Sequence, residues 1–358
     1  MKSETRLATM LIHLQTILLI LQLLLRVTAR AQGDEYRNDP NIIELSSHNF
    51  DKLVHGTNYT TIVKFYAPWC GYCQQLKPIW KKLGKYITRD SQLGINVASL
   101  NCDNPENKPL CSTYQIQGFP TLMVFRPPKF DKTAGKSSSA STEAKKRKRH
   151  ASEVYNGQRT LKAISTFLTS RLKNYVTKLH NLDKDLQTWI EQNKDVPRML
   201  LIAKANSISP LLKTLAIDYL GLVEFAMIGK YNEDEKTINI EGREVVVPIT
   251  DKSSLFYYDA EAGKLIKYQE TEKLNDKLEI EKWVSKVTGV EPIEGSLSTK
   301  GKKIDKARGS SKSITNGRNG KSSKKGEKEK NGRNENREKS GKNGSGAKKE
   351  SNVEHDEL

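Results

Sequence analysis

The chain has 358 residues, four cysteines and a formal net charge of +18. Two segments, residues 129–150 and 298–352, carry net charges of +6 and +12 and account for the whole excess. Both are rich in Ser, Gly, Asn and Lys, a composition typical of solvated disordered chain, so the charge does not indicate a folded nucleic-acid-binding surface. About 260 residues remain for the folded body, enough for two domains of ordinary size.

Residues 1–31 have the pattern of a secretory signal peptide. Lys2 and Arg6 precede an apolar stretch that is densest over residues 16–25, and a small-x-small sequence ends at Ala31. This order predicts cleavage after that alanine. The alternative is an uncleaved membrane anchor. This alternative is disfavoured because the apolar run is short for a bilayer and is interrupted by polar residues. No later segment approaches the length of a membrane span.

Strands and helices then alternate along the first region. Strands are expected at 43–45, 61–66, 95–100, 121–125 and 153–155, and helices at 49–54, 70–87, 105–114 and 161–172. This order predicts an α/β domain with a central sheet over residues 41–172. The basic insertion, residues 129–150, falls between the last two strands, where a hairpin tip tolerates added length at little cost.

A second region, residues 173–292, echoes this order with weaker patterns. Strands are expected at 199–203, 223–228, 254–258 and 264–268, and helices at 209–220 and 278–287. No cysteine occurs in this region. If it repeats the fold of the first region, it does so without thiol chemistry.

Residues 298–354 are expected to form a basic disordered tail, and residues 355–358 read HDEL. That ending is an address by which a receptor returns proteins to the endoplasmic reticulum. Together with the signal peptide it predicts a location in the endoplasmic reticulum lumen, where disulfides persist. A nucleic-acid role for the basic run 145–149 is thereby disfavoured, and the sequons at Asn58 and Asn343 become candidates for glycosylation.

Two of the four cysteines stand three positions apart in the sequence FYAPWCGYCQQLKP, residues 65–78. Cys70 is expected in the first turn of a helix, where free N–H groups and the helix dipole favour a thiolate. The thiolate is the attacking species, so Cys70 is the expected nucleophile. Cys73, one turn further, can reach back to Cys70. It can thereby break a mixed disulfide between Cys70 and another protein (a client).

Other uses of the cysteines are weaker interpretations. A zinc site is disfavoured because Cys102 and Cys111 stand nine apart and the histidines are scattered. A permanent staple between Cys70 and Cys73 would remove little unfolded-chain entropy. Cys102 and Cys111 are instead expected to form a structural disulfide, with a second redox pair as the alternative. We predict no metal and no cofactor.

This first region resembles the thioredoxin domain of the protein disulfide isomerase family. The resemblance covers residues 41–172 and rests on residues 65–73 (FYAPWCGYC), Pro78 and residues 118–121 (GFPT). With its signal, single CxxC motif and HDEL ending, the chain is similar to the small fungal endoplasmic-reticulum members. The resemblance implies a thioredoxin fold with a central mixed sheet, followed by a redox-inactive thioredoxin-like domain.

The resemblance also implies a function and a site. The function is formation, reduction or rearrangement of disulfides in unfolded or misoxidised secretory proteins. A cis-Pro120 after Phe119 would face the CxxC motif and let an extended client add like a strand, with Trp69, Gly71 and Tyr72 around the nucleophile.

Further expected partners are the HDEL retrieval receptor and a lumenal thiol oxidase or other disulfide isomerases. The main alternative function is a non-enzymatic chaperone or escort that uses the thioredoxin domain only to bind clients. A narrower alternative is a reductase dedicated to one partner.

Three positions depart from the family pattern. Tyr72 stands where the family has a histidine that stabilises the thiolate, which predicts a more reducing couple. Lys64 replaces a buried glutamate, and Gln117 replaces an arginine. We expect Lys64 to extend outward to solvent. The acid that handles the resolving thiol's proton is then missing, and resolution by Cys73 is expected to be slow.

Overall fold

The computed structural model describes residues 13–20, 34–130, 149–192, 195–230, 236–240, 242–248, 252–268 and 274–308. Residues 13–20 are helical; the rest of the expected signal peptide lies outside the described residues. So do residues 131–148 of the basic insertion, the tail beyond residue 308, Asn343 and the HDEL ending. In the described part of the chain, no helix has the length and apolar character needed to cross a membrane.

The first domain is built on a five-stranded mixed sheet. Its strands are β1 (Ile43–Leu45), β2 (Thr60–Tyr66), β3 (Ile95–Asn101), β4 (Thr121–Arg126) and β5 (Ala151–Val154), in the spatial order β1-β3-β2-β4-β5. The first three are parallel, and β4 and β5 add as antiparallel strands. Strand β2 is central and buried along its whole length. This architecture confirms the predicted thioredoxin fold.

Helices cover both faces of this sheet. They are α1 (Gly71–Lys85), α2 (Lys108–Thr113) and α3 (Leu161–Ser170), with π-helical turns at Asp51–His55 and Tyr86–Asp90 and a 3₁₀ turn at Pro105–Asn107. Helices α1 and α3 pack on one face over a core that contains Trp80, and α2 packs on the other around Phe50 and Phe125. Because side chains alternate along β2, Ile62, Lys64 and Tyr66 all lie on the α1 face.

A second sheet repeats the connectivity of the first. Its strands are β6 (Thr177–Leu179), β7 (Arg198–Ala203), β8 (Glu224–Gly229), β11 (Ser254–Asp259) and β12 (Lys264–Lys267), in the order β12-β11-β7-β8-β6. Strands β6, β8 and β7 are parallel and β11 and β12 antiparallel, as in the first domain. The second region is therefore a thioredoxin-like domain without cysteines.

The second domain differs from the first in what lies between its third and fourth strands. A separate antiparallel hairpin stands there, made of β9 (Lys236–Ile240) and β10 (Arg243–Val247). Its apolar side packs with α4 (Leu182–Glu191) on one face of the sheet. Helices α5 (Pro210–Asp218) and α6 (Lys277–Thr288) cover the other face.

The start of the expected disordered tail is ordered, so the prediction is wrong for residues 298–308. They contain helix α7 (Thr299–Ala307), capped by Ser298, whose Oγ accepts a hydrogen bond from the Gly301 N–H at 2.9 Å. Ile304 is buried in the first domain's core against β1. Arg308 donates to Asn96 Oδ1 at 3.0 Å. Average composition is a poor guide here because one apolar residue and one buried arginine anchor an otherwise polar helix.

Buried polar groups join the two domains. The Tyr59 hydroxyl of the first domain donates to Asp218 of the second. Lys277 donates to Asp218 Oδ2 at 2.8 Å and to Glu281 Oε1 at 2.7 Å. Glu294, also buried, accepts from the Thr57 hydroxyl at 3.1 Å. The domains therefore meet through a charged cluster that excludes solvent.

Candidate active site

The CxxC motif forms the start of α1. Cys70 is the N-cap residue, with extended backbone angles, and its Sγ accepts a hydrogen bond from the Cys73 N–H at 3.3 Å. Both cysteines are free thiols. The Cys70 sulfur therefore receives a backbone donor that the helix leaves unpaired, at the end of the dipole that favours negative charge.

Cys73 lies one turn further and is fully buried. Burial raises the pKa of its thiol to about 12, and the contact with Cys70 adds to this increase. Neighbouring Lys64 acts in the opposite direction. At neutral pH this thiol stays protonated and needs an acceptor before it can attack.

The loop before β4 faces the motif. The Phe119–Pro120 peptide bond is cis, and the Cys70 thiol donates to the Phe119 carbonyl oxygen at 3.5 Å. Pro120 is buried, and its carbonyl accepts a hydrogen bond from Arg159 at 3.1 Å. The two sequence motifs, fifty residues apart, thus meet at one sulfur atom.

Aromatic side chains surround the motif on its solvent side. Trp69 and Tyr72 are 64% and 69% exposed, which is unusual for large apolar side chains. The Trp69 ring contacts Phe119 edge-on, with centroids 6.2 Å apart. A Cβ at Gly71 would meet no atom within 4 Å outside its chain neighbours, so the surface at this position is open. This aromatic rim presents apolar surface next to the nucleophile.

The prediction that Lys64 extends outward to solvent is wrong. Lys64 is fully buried in β2, and its Nζ donates to the Tyr36 hydroxyl at 2.7 Å and to the Cys73 carbonyl at 3.1 Å. It also lies over the rings of Tyr36 and Tyr66, 5.0 and 5.1 Å from their centroids. Strand β2 is covered on both faces, so the Lys64 side chain itself cannot reach water, and hydrogen bonds and ring contacts hold the amine instead.

The segment before β1 supplies groups that the sequence pattern did not single out. Tyr36 is fully buried, and its backbone N–H donates to Glu44 at 3.0 Å. The Tyr66 hydroxyl donates to the same carboxylate at 3.2 Å and accepts from the Glu35 N–H at 2.8 Å. Burial raises the pKa of the Glu44 carboxyl well above its usual range, and Asp34 nearby adds to the shift. No local motif marks these residues; only the unusual lysine at position 64 signals a need for buried partners.

Cys102 and Cys111 are joined by a disulfide. Both are buried in the core on the α2 face, on the opposite side of the sheet from the CxxC motif.

Gln117, in the loop before β4, is exposed. The sequon residue Asn58 is half-buried, and its N–H donates to Glu294 at 2.9 Å. Whether it is glycosylated remains a prediction.

Comparison with known proteins identifies the family. The thioredoxin family model matches residues 41–170. The chain is 38% identical over 312 residues to protein disulfide-isomerase MPD1 of Saccharomyces cerevisiae, with 82% of this chain and 92% of that protein covered. It is 37% identical over 136 residues to protein disulfide-isomerase 1 of Dictyostelium discoideum, with 38% and 31% covered.

Among solved structures, full-length ERdj5 has a TM-score of 0.38 at 19% identity, covering 70% of this chain and 33% of that one. This likeness is too low to support a conclusion about function. The match to the Saccharomyces cerevisiae protein covers most of both chains and is sufficient to assign the family. It confirms the resemblance to the protein disulfide isomerase family that the sequence motifs indicated. The chain belongs to the protein disulfide-isomerase family and is a thiol–disulfide oxidoreductase and isomerase.

Proposed function

We propose that Cys70 is the nucleophile of this reaction. The observation that carries the proposal is the hydrogen bond from the Cys73 N–H to the Cys70 sulfur at the N-terminus of α1. A thiolate at that position is stabilised by the donor and by the helix dipole. Cys70 is also the outer of the two thiols, since Cys73 is completely buried.

In the first step, the Cys70 thiolate attacks one sulfur of a client disulfide. A Cys70–client bond forms, the client S–S bond breaks, and the second client sulfur leaves as a thiolate. In the second step, the Cys73 thiolate attacks Cys70, the mixed disulfide breaks, and the client leaves reduced. Run in reverse, the same steps transfer the disulfide to a client, and release before resolution allows rearrangement.

The aromatic rim, Trp69, Tyr72 and Phe119, is the proposed client-binding surface. Unfolded proteins expose apolar side chains, and the two exposed aromatics here offer them a non-specific surface. The cis-Pro120 loop lies against the same sulfur, where an extended client segment can align beside the backbone. The proposed clients are unfolded or misoxidised secretory proteins.

The proposed location is the endoplasmic reticulum lumen. Two segments support this location: the expected signal peptide, residues 1–31, and the HDEL ending, residues 355–358. The HDEL ending is the proposed ligand of a retrieval receptor. The buried Cys102–Cys111 disulfide suits an oxidising compartment. We propose that a lumenal thiol oxidase or another isomerase reoxidises the Cys70–Cys73 pair. The second domain is proposed to contribute further surface for binding clients.

The test is reactivation of a disulfide-scrambled substrate by a Cys70→Ser, Cys73→Ser double variant. We expect this variant to lose reactivation completely and to keep any suppression of client aggregation. Undiminished reactivation would contradict the proposal and favour the escort alternative. Cys73→Ala is expected to accumulate mixed disulfides with many clients; a single dominant adduct would indicate a dedicated reductase.

A further inference from the structure

The buried thiol of Cys73 poses a chemical problem. Burial raises its pKa to about 12, yet it must lose its proton to attack Cys70. The position from which the family supplies a buried carboxylate holds Lys64 in this chain. A different acceptor has to be found within the same buried pocket, and the following inference rests on the proposed role of Cys73.

Lys64 is placed to be that acceptor. Its Nζ contacts the Cys73 carbonyl oxygen at 3.1 Å and the Tyr36 hydroxyl at 2.7 Å. A neutral amine has two N–H donors and one lone pair, so these two contacts use both donors and leave the lone pair for a proton. Burial lowers the pKa of the Lys64 amine, which favours the neutral form, while Glu35 and Cys73 oppose this shift.

The Tyr36 hydroxyl connects this amine to the surface. The Glu35 carboxylate lies beside it and, after burial, is the next contribution to the raised pKa of the phenol. Among the described residues, Glu35 Oε2 has no hydrogen-bond partner, although the Glu35 side chain is only 9% exposed. The same oxygen is 3.7 Å from Nζ of Lys77, whose side chain is 39% exposed. A short path therefore runs from the pocket to water.

We propose that Lys64 accepts the proton of Cys73 during resolution, and that Tyr36 and Glu35 position it and pass the proton to solvent. The Cys73 S–H bond breaks and an N–H bond forms on Lys64, while the sulfur electron pair attacks Cys70. The Lys64 ammonium then gives a proton to the Tyr36 oxygen as the Tyr36 proton moves to Glu35. The client thiolate leaves and takes its own proton from solvent.

Among the described residues, the titratable groups that act on Lys64 are Glu35, Lys77, Glu44 and the Cys73 thiol, and the neighbouring phenols are Tyr36 and Tyr66. Glu44 is engaged by the Tyr36 backbone and the Tyr66 hydroxyl. Glu35 is the carboxylate that lies beside both Tyr36 and the partly exposed ammonium of Lys77, so the proton path runs through it.

A stopped-flow reaction of the reduced protein with a chromogenic aryl disulfide separates the two steps. The first equivalent of aryl thiolate is released by attack of Cys70 and the second by attack of Cys73. Failure of the first phase in the wild type would overturn the proposed role of Cys70. Changes confined to the second phase test the proton path alone.

Lys64→Met is expected to leave the first phase unchanged and to slow the second by about 100-fold near pH 7, a typical loss for proton-transfer catalysis. In the wild type the second rate should rise with pH and reach a plateau once Lys64 is neutral. In the variant it should keep rising about tenfold per pH unit without that plateau, because the thiol must lose its proton with no amine beside it. The D₂O effect on the second phase should differ between the two proteins, because transfer of the proton to an amine is part of the step only in the wild type.

Tyr36→Phe and Glu35→Gln should slow the same phase. Tyr114→Phe is the matched control, since it removes a tyrosine hydroxyl from the opposite face of the sheet. A Lys64→Met protein whose second phase keeps the wild-type rate, pH profile and isotope effect overturns the proposal. If that variant does not fold, wild-type second phases in both Tyr36→Phe and Glu35→Gln overturn it equally.

Discussion

The Tyr59 hydroxyl of the first domain donates a hydrogen bond to the Asp218 carboxylate of the second. Asp218 also accepts from Lys277, so a phenol of one domain and an ammonium of the other share one buried carboxylate. Glu281 completes this interdomain cluster through its own bond to Lys277 at 2.7 Å. Asp218, Glu281 and Lys277 together hold two carboxyl groups and one cation, so a single proton makes this trio neutral.

Lys277→Met should destabilise the protein strongly. The change leaves Asp218 and Glu281 buried without their cation, and removal of one partner of a buried ion pair costs about 3–5 kcal/mol. The measurement is urea unfolding at pH 7. Lys282→Met, which removes an exposed pair with Glu279 on the same helix, should cost less than about 1 kcal/mol. Equal losses in the two variants would contradict the structural role assigned to the cluster.

The same cluster should make stability depend on pH. Burial raises the pKa of Glu281 from 4.5 to about 8, with Asp218 adding and Lys277 opposing. The folded protein therefore keeps a proton that the unfolded chain releases between these values. The free energy of unfolding should fall as pH rises through this window and level off above it.

Glu281→Gln should remove that dependence, since glutamine does not titrate. Urea unfolding from pH 4.5 to 9 would show a flatter profile than the wild type, while Glu279→Gln on the exposed side of α6 should keep the wild-type slope. An unchanged slope in Glu281→Gln would refute this assignment of the buried proton.

Tyr72→His should make the Cys70–Cys73 couple more oxidising. Tyr72 is 69% exposed beside the nucleophile and cannot carry the positive charge that a histidine would place near the thiolate. Equilibration with glutathione should give a wild-type potential below about −180 mV and a higher value for the variant. Tyr72→Phe should match the wild type. A wild-type potential at or above about −180 mV would contradict the prediction that Tyr72 makes the couple more reducing.

Removal of the Cys102–Cys111 disulfide should lower the stability of the protein and leave its activity unchanged. Cys102 and Cys111 close a short loop on the face of the sheet opposite the CxxC motif. A Cys102→Ala, Cys111→Ala variant should lose about 2–3 kcal/mol of unfolding free energy, as expected for a loop of this length. Its rate of scrambled-substrate reactivation, measured well below its melting temperature, should equal that of the wild type. A matching fall in activity would indicate a redox role.

The sequence was sufficient to predict the first sheet and the reactive motif, because both depend on local patterns. The apolar run of β2 predicts a strand buried on both faces, and a CxxC motif at a helix start predicts a nucleophile. Of the second domain, β6 was not predicted because its three residues, TKL, include one apolar side chain, whereas β1 (IEL) has two. The β9–β10 hairpin was also missed, since charged residues at 233–236 and 241–244 surround its short apolar alternation.

The environment of Lys64 could not be predicted from local sequence. A lysine within an apolar strand reads as a side chain that reaches water, and only the long-range placement of residues 34–44 shows otherwise. Tyr36 lies 28 positions away from its lysine partner. Likewise, Asp218 and Tyr59 are separated by 159 positions, so no window of sequence contains both.

Helix α7 follows the second domain in the chain but is bound to the first. Ile304 fills part of the core against β1. A Cβ at Gly301 would lie only 1.7 Å from the carbonyl oxygen of Gly295 in the loop before the helix, so the first turn of α7 tolerates no side chain there. An excised fragment ending near residue 172 would lack this helix and expose an apolar hole. Assays on such a fragment would report a weakened scaffold, and crossover points for chimeras belong after residue 308.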